Sequence, residues 1–437
     1  MNSQLRSLEN SPSFQIFQQN SSMSPLIYDL DDSLIPMSRN KYELSFSSSA
    51  ALGGSASFDL LRVGLLNAII LKLRFTGFAT SSVGHFGGGY NVIKEVSILS
   101  HNKKLLRMNR NNIQQKIGKM PYHVRRQIES SAMMMGVVPN DHDDSTAATQ
   151  GTRAATPGYF NTNSRTDATT YLYIPFSIFD DLRTACSWNM EFLENLTLQI
   201  DFEEGAALAT GGTPVLDTSN SKVIVSYYDL RNSDMKKFEQ ANYKVDDNNL
   251  SLVLKDYYTE TSPAAVALDG DSATLANRTT TFSVPIQCRS LITSIYVRVQ
   301  NTDDQNGLEG VRVEEISLNL DGKEFVKYKA EELQLLTAVV GGVSVGNNYA
   351  QRLSSTTGTQ EIVDGHENYY ELKFNVNQSN AFSSALSARS IGQTELKGKI
   401  FPNTNDSKNY KCFVECEHIS LLSISSTDGK IQKSQNL

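Results

Sequence analysis

The sequence predicts an all-β protein of two tandem jelly rolls or sandwiches, with short helices and long loops, and three observations carry that prediction. Residues 91–114 (NVIKEVSILSHNKKLLRMNRNNIQ) pair without a gap with residues 311–334 (VRVEEISLNLDGKEFVKYKAEELQ). The elements that flank the two segments recur in the same order, with length changes confined to connections. No regular succession of amphipathic helices separates the strands, as a parallel α/β fold would require.

In the paired segments Glu95 meets Glu315, Ser97 meets Ser317, Lys103 meets Lys323 and Gln114 meets Gln334. Ile93, Val96, Ile98, Leu105 and Leu106 meet Val313, Ile316, Leu318, Phe325 and Val326, so the apolar rhythm is shared even where identities are few. Each copy reads as a strand, a tight turn (His101-Asn102, Asp321-Gly322), a second strand and the opening of a short helix. A repeat about half a chain long indicates two similar domains, not a solenoid.

Before each hairpin lies an alternating strand. Ile69, Leu71, Leu73 and Phe75 enclose Lys72 and Arg74, and Ile295, Val297 and Val299 enclose Tyr296 and Arg298, the pattern of strands with one apolar and one solvated face. After each hairpin come a long polar segment and an aromatic strand, over 171–178 and 369–376, each followed by a short helix near 179–185 and 381–388. A further strand follows, Leu196-Leu198-Ile200 matched to Leu396, Gly398 and Ile400, and the last strands are Val223-Val225-Tyr227 and Ile419-Leu421. The charged, weakly periodic stretch 232–249 marks the boundary, giving an N-terminal arm over 1–40, a first jelly roll over 41–240 and a second over 241–437. The arm is rich in Ser, Gln and Asn up to residue 36 and has no counterpart in the second copy. Its clustered apolar residues, Phe14, Ile16 and Phe17, suit a segment that orders when it docks on a neighbour or beneath its own domain.

The chain of 437 residues, 39% hydrophobic, is long enough for two cores at ~100–200 residues each. A formal charge of −7 with no basic arm argues against direct nucleic-acid binding, and Lys103, Lys104, Arg107, Arg110, Arg125 and Arg126 read as solvated clusters. No uninterrupted apolar run approaches the ~18–20 residues of a membrane span. The N-terminus has no apolar core of a secretory signal, so the product is expected to stay where it is made. Cys186, Cys288, Cys412 and Cys416 are too scattered for a disulfide framework and read as reduced thiols.

Four stretches carry chemistry-like patterns. Gly342-Val343-Ser344-Val345-Gly346, with Asp364, His366 and His418 downstream, matches a nucleophile elbow, but it lacks the strand–turn–helix setting that would lift the serine. Asp141, His142, Asp143 and Asp144 offer hard oxygens without the spacing or turn glycine of a calcium loop. Cys412, Cys416 and His418 share a face if 411–420 is a strand, but zinc would need a fourth ligand. Residues 84–89 are glycine-rich without the Lys-Ser/Thr ending of a phosphate loop and read as a flexible connection. No catalytic residue, cofactor site or metal site is assigned.

Two jelly rolls in tandem, each with a strand–turn–strand–helix unit (91–114, 311–334) and an aromatic strand (171–178, 369–376), plus an N-terminal arm, resemble a known family. The chain is similar to the double jelly-roll major capsid proteins of tailless icosahedral viruses, the lineage of adenovirus hexon and the coat proteins of membrane-containing phages. That resemblance implies a structural, non-enzymatic subunit that self-assembles as pseudo-hexagonal homotrimers into an icosahedral shell. It implies loops over 118–170 and 337–368 that crown the capsomer. The implied partners are further copies, neighbouring capsomers, other virion proteins and, through the arm, an internal membrane. The implied location is the virion, assembled in host cytoplasm. The alternative class for such a fold is a two-domain carbohydrate-binding protein or glycan-active enzyme, which would need an aromatic platform or a carboxylate pair; Trp188 is the single tryptophan.

Overall fold

The computed structural model describes residues 37–77, 85–87, 89–131, 159–161, 167–179, 190–191, 193–210, 213–230, 249–261, 266–267, 280–301, 313–329, 332, 335, 350–353, 360–363, 369–374, 385–400, 409–425 and 429–434. The first half supplies β1 (Met37–Ser45), β2 (Ser55–Asp59), β3 (Leu65–Thr76), β4 (Ile93–Ser100), β5 (Lys103–Asn109), β6 (Asp167–Tyr173), β7 (Leu196–Phe202) and β8 (Lys222–Leu230). The second supplies β9 (Asn249–Thr261), β10 (Thr280–Ile286), β11 (Leu291–Asn301), β12 (Val313–Leu320), β13 (Lys323–Lys329), β14 (Tyr369–Lys373), β15 (Thr394–Ile400) and β16 (Asn409–Ser425). Each half folds as two facing antiparallel sheets, ordered β1-β8-β3-β6 and β2-β7-β4-β5 in the first and β9-β16-β11-β14 and β10-β15-β12-β13 in the second. Each of these sixteen strands therefore has its counterpart eight places away in the order, and both halves are jelly rolls.

The duplication extends to the irregularities. Pairing of β4 with β5 slips after Ile98, and pairing of β12 with β13 slips after Leu318, the residue aligned with it. Pairing of β4 with β7 slips between Ile93 and Glu95, and that of β12 with β15 between Val313 and Glu315. The third bulge falls where β3 meets β8, at Ser226/Tyr227, and recurs where β11 meets β16, between Ile292 and Ser294. A bulge adds one residue and re-aims a strand, so three shared bulges preserve the same bends in both barrels. Each hairpin turns on two residues with positive φ, His101 (46°) and Asn102 (64°) in one copy, Asp321 (50°) and Gly322 (77°) in the other. Such loops match the right-handed twist of the strands they join.

Alternation places Ile69, Leu71, Leu73 and Phe75 in the first core against Ile98 and Leu198, all fully buried. Ile295, Val297 and Val299 face Ile316, Leu318 and Leu396 in the second. One pair of positions exchanges bulk between copies. Ala56 on β2 lies beside Ile200 on β7, whereas Phe282 on β10 lies beside Gly398 on β15. A Cβ on Gly398 would come within 2.3 Å of the Phe282 ring, so the glycine makes room for the phenylalanine.

Several expected elements change. The aromatic strand of the first half stops at Tyr173, because Pro175 has no N–H for a ladder, and a 3-10 turn covers Ser177–Phe179. Residues 386–387, expected in a helix, pair as a short strand with Leu291 and Ile292 on β11, beyond the end of β14. The seventh strands match with a shift of two residues: Leu198, Ile200 and Phe202 correspond to Leu396, Gly398 and Ile400. The counterparts of Val223 and Val225 are Val414 and Cys416; Ile419 lies farther along the same strand. Part of the glycine-rich connection, His85–Gly87, is a short strand between Ala209–Thr210 and Tyr159–Asn161. Within the expected crown loops lie a helix, Tyr122–Ser131, and a hairpin, Ala350–Leu353 with Gln360–Val363. Among the described residues no helix is long and apolar enough to cross a membrane.

Candidate functional site: the joint between the jelly rolls

The polar chemistry of the described chain concentrates where the first barrel meets the second. Helix α1 (Arg110–Gly118) follows β5 and is started by a reciprocal cap: the Asn112 N–H donates to Asn109 Oδ1 at 2.8 Å, and the Asn109 N–H donates to Asn112 Oδ1 at 3.2 Å. Such a cap satisfies two donors that a helix start leaves open. Ile113 and Ile117, one turn apart, are buried in the first core. Asn111, Asn112 and Gln115 thereby face the outer side of the second barrel's β9-β16-β11-β14 sheet, where they too are buried.

Strand β16 explains what they meet. Cys412, Val414 and Cys416 point into the second core, so Glu415 and Glu417 point out of it, toward the helix. Glu415 accepts from Asn109 Nδ2 at 3.0 Å, Asn112 Nδ2 at 2.8 Å and Gln115 Nε2 at 2.5 Å. On β11, Arg298 donates to Asn111 Oδ1 at 3.0 Å and Gln114 Oε1 at 3.3 Å. Lys119, just past the helix, lies 3.0 Å from Glu371 Oε1 and 3.9 Å from Glu417 Oε2, 4.5 Å from the centre of the Tyr296 ring. Lys255 on β9 donates to Glu417 Oε1 at 2.7 Å, and the Thr293 hydroxyl donates to the same oxygen at 2.8 Å.

These surroundings treat the two carboxylates differently. Burial pushes the Glu415 carboxyl up, and the amides of Asn109 and Gln115 with the charge of Arg298 only partly oppose it. Burial also raises Glu417, but Lys119 and Lys255 outweigh it and hold this carboxyl down at about 2. An apolar seam runs beside the polar one: the first core continues across the joint to Leu254, Tyr257, Tyr296, Leu422, Ile424 and Ile431 of the second half. Arg107 sits 5.9 Å from the Tyr258 ring and donates to the Tyr257 carbonyl at 3.3 Å. At the chain's end the Ile431 N–H donates to Glu194 Oε1 at 3.1 Å, tying the second half back to the first.

Sequence reasoning missed this joint. It placed Arg107 and Arg298 on solvated faces, yet Arg298 is buried and Arg107 spans the joint. A charge opposite an apolar stripe looks the same whether water or another barrel covers it. The one available signal was the density of amides, Asn109, Asn111, Asn112, Gln114 and Gln115, in place of the charges an exposed helix usually carries.

The residues singled out earlier lie elsewhere. Phe14, Ile16 and Phe17, the elbow at 342–346 with Asp364 and His366, the acidic run 141–144, Cys186 and Trp188 fall outside the described residues. Cys412 and Cys416 lie in the second core as free thiols, with the Cys288 thiol hydrogen-bonded to that of Cys416, while His418 Nε2 lies 4.0 Å from Asp256. Among the described residues no group of three His, Cys, Asp or Glu could hold a metal.

No protein-family model and no curated protein matches the chain. Solved structures match over nearly its whole length. The PBCV-1 VP54 structure fitted into a reconstruction of the virophage Sputnik aligns with TM-score 0.61 and 10% identity over 92% of this chain and 97% of that one. The Faustovirus major capsid protein aligns with TM-score 0.56 and 8% identity over 97% and 98%. The mavirus major capsid protein aligns with TM-score 0.51 and 9% identity over 95% of each. The chain therefore has the double jelly-roll fold of these major capsid proteins.

Proposed function

We propose that this chain is a major capsid protein that self-assembles as a pseudo-hexagonal homotrimer into an icosahedral virion shell. The observation that carries this reading is the extent of the structural match, which spans both barrels and takes in 97% or more of the VP54 and Faustovirus chains. The joint supports it physically. A shell subunit must present its barrels at one fixed relation, and buried polar contacts with directional hydrogen bonds select an orientation better than an apolar seam alone.

On this reading residues 1–40 form an arm beneath the shell, with Phe14, Ile16 and Phe17 as its apolar contacts to neighbouring capsomers, other virion proteins or an internal membrane. The jelly rolls then occupy 41–240 and 241–437, the protein works without catalysis, cofactor or bound nucleic acid, and it resides in virions assembled in host cytoplasm. Light scattering on the purified full chain is expected to give three times the monomer mass of 48.3 kDa, and electron microscopy to show pseudo-hexagonal capsomers. A stable monomer at micromolar concentration, or specific glycan binding on an array, would overturn the proposal.

A further inference from the structure

The second barrel holds two thiols in contact, and the first barrel holds none at the matching places. Cys288 lies in the connection from β10 to β11, which crosses from one sheet to the other, and Cys416 lies on β16 between Tyr258 of β9 and Ile295 of β11. Their side chains meet in the second core and share a hydrogen bond. The aligned strands make Arg62 the counterpart of Cys288 and Val225 the counterpart of Cys416. Arg62 is exposed and donates to the Glu191 carbonyl at 2.7 Å, so the first copy turns outward at the position where the second turns a thiol inward.

The connection that carries Cys288 is fixed on both sides of it. The Gln287 N–H donates to Glu260 Oε1 at 2.9 Å, the Arg289 guanidinium donates to the Ile391 and Gly392 carbonyls at 2.6 and 2.9 Å, and the Ser290 hydroxyl donates to the Ile419 carbonyl at 3.0 Å. A disulfide brings two sulfurs to about 2 Å with Cβ atoms about 4 Å apart, and side chains as short as cysteine that already share a hydrogen bond stand near that separation. Cys412 offers Cys416 no such partner, because four residues of extended strand span about 13 Å.

We propose that Cys288 and Cys416 are an oxidation site, closed by hydrogen peroxide into a disulfide that staples the β10–β11 connection to the middle of β16. The roles follow from the surroundings. Cys288 is 5% exposed and Cys416 fully buried, so the oxidant reaches Cys288 first. The hydrogen bond to Cys416 holds the Cys288 thiol below its ordinary value, while that bond and burial raise Cys416. The Cys288 sulfur attacks one peroxide oxygen, the O–O bond breaks, and the leaving hydroxide takes up the thiol proton, giving a sulfenic acid and water. The Cys416 sulfur then displaces the sulfenic hydroxyl, which leaves with the Cys416 proton as a second water. Two thiols are oxidised by two electrons, and one peroxide is reduced to two waters. Cys416 stands between Glu415 and Glu417, so the staple fixes the strand that receives α1 at the joint. The chain would fold with both thiols open under reducing conditions and lock on meeting the oxidant.

The test uses the full-length chain, first reduced and then exposed to dilute hydrogen peroxide. A peptide map without reductant is expected to show Cys288 linked to Cys416, in a chain two hydrogens lighter, with the melting temperature raised by about 5 °C or more until reductant is restored. Cys416→Val, which takes the residue found at Val225, is expected to fold and to strand Cys288 as a sulfenic acid that dimedone labels; the wild type closes its disulfide and escapes the label. Cys288→Ser should leave Cys416 reduced. Native protein whose two thiols survive peroxide, in which Cys288 passes to sulfinic acid with Cys416 still free, or in which Cys416 links to another cysteine, would overturn the proposal. The staple lies within one chain, so each of these results leaves the capsid reading standing.

Discussion

Asn112 of the first jelly roll donates to the Glu415 carboxylate of the second at 2.8 Å, across 303 positions of sequence, with neither residue more than 2% exposed. This bond belongs to neither barrel alone. Asn112→Ala would leave a buried carboxylate with one donor fewer and remove half of the helix cap, so a loss of roughly 3 kcal/mol is expected. Urea denaturation would measure it. Lys103→Ala, at an exposed strand end, is expected to stay within about 0.5 kcal/mol and serves as the control. Equal midpoints for the two variants would mean that the joint does not hold the barrels together.

The bulk exchange between copies makes a second prediction. Gly398→Ile places a side chain into the Phe282 ring and is expected to destabilise by about 1–3 kcal/mol or more. Phe282→Ala alone leaves a cavity and is expected to cost about 3–5 kcal/mol. The double variant recreates the Ala56–Ile200 pair of the first barrel and should be markedly more stable than the two losses added. A double-mutant cycle read by thermal melting checks this. Additive losses would show that the two positions do not share space.

The paired hairpins were legible in the sequence because a tight turn between two stretches of period-two apolar alternation survives divergence, whereas the bulges, which interrupt that alternation, were not. Strand identity at the fourth, fifth and sixth places was legible for the same reason, down to Tyr171 matching Tyr369. The seventh strands were misaligned by two residues because Gly398 has lost the apolar side chain that would have fixed the register, its volume being supplied by Phe282 from another strand. The joint was hidden for a different reason. Glu415 and Glu417 alternate with Cys412, Val414 and Cys416 as solvated carboxylates would, and only tertiary contact distinguishes the two cases.

The cysteines give a third prediction. Cys288, Cys412 and Cys416 are all buried, and burial raises the Cys412 thiol while the Cys288 contact and burial together raise that of Cys416. Thiolate is the reactive form, so Cys412 and Cys416 are expected to resist iodoacetamide in the native protein at pH 8 and to label within minutes in denaturant, whereas Cys288, whose thiol the hydrogen bond to Cys416 holds lower, is protected by burial alone. Peptide mass mapping distinguishes the sites. Rapid native labelling of Cys416 would show that the second core opens readily.

The joint should also respond to acid, with the two carboxylates acting in opposite senses. Glu417 faces Lys119 and Lys255, with the Tyr257, Tyr296 and Thr293 hydroxyls nearby, and is held at about 2 against an ordinary value of 4.5. Its folded pKa is depressed, so its stabilisation is complete above about 4.5 and disappears as pH falls toward 2. Glu415 is raised, so its charging weakens the fold as pH climbs through and above 4.5. Glu417→Gln should therefore be less stable than wild type at pH 7, by a few kcal/mol, with the gap closing between pH 5 and 2. Glu415→Gln removes the opposite contribution, so its stability relative to wild type should fall as pH is lowered toward 4. Guanidinium unfolding at a series of pH values gives both curves. Two variants with parallel pH profiles would show that these carboxylates do not sit in the contrasting environments described.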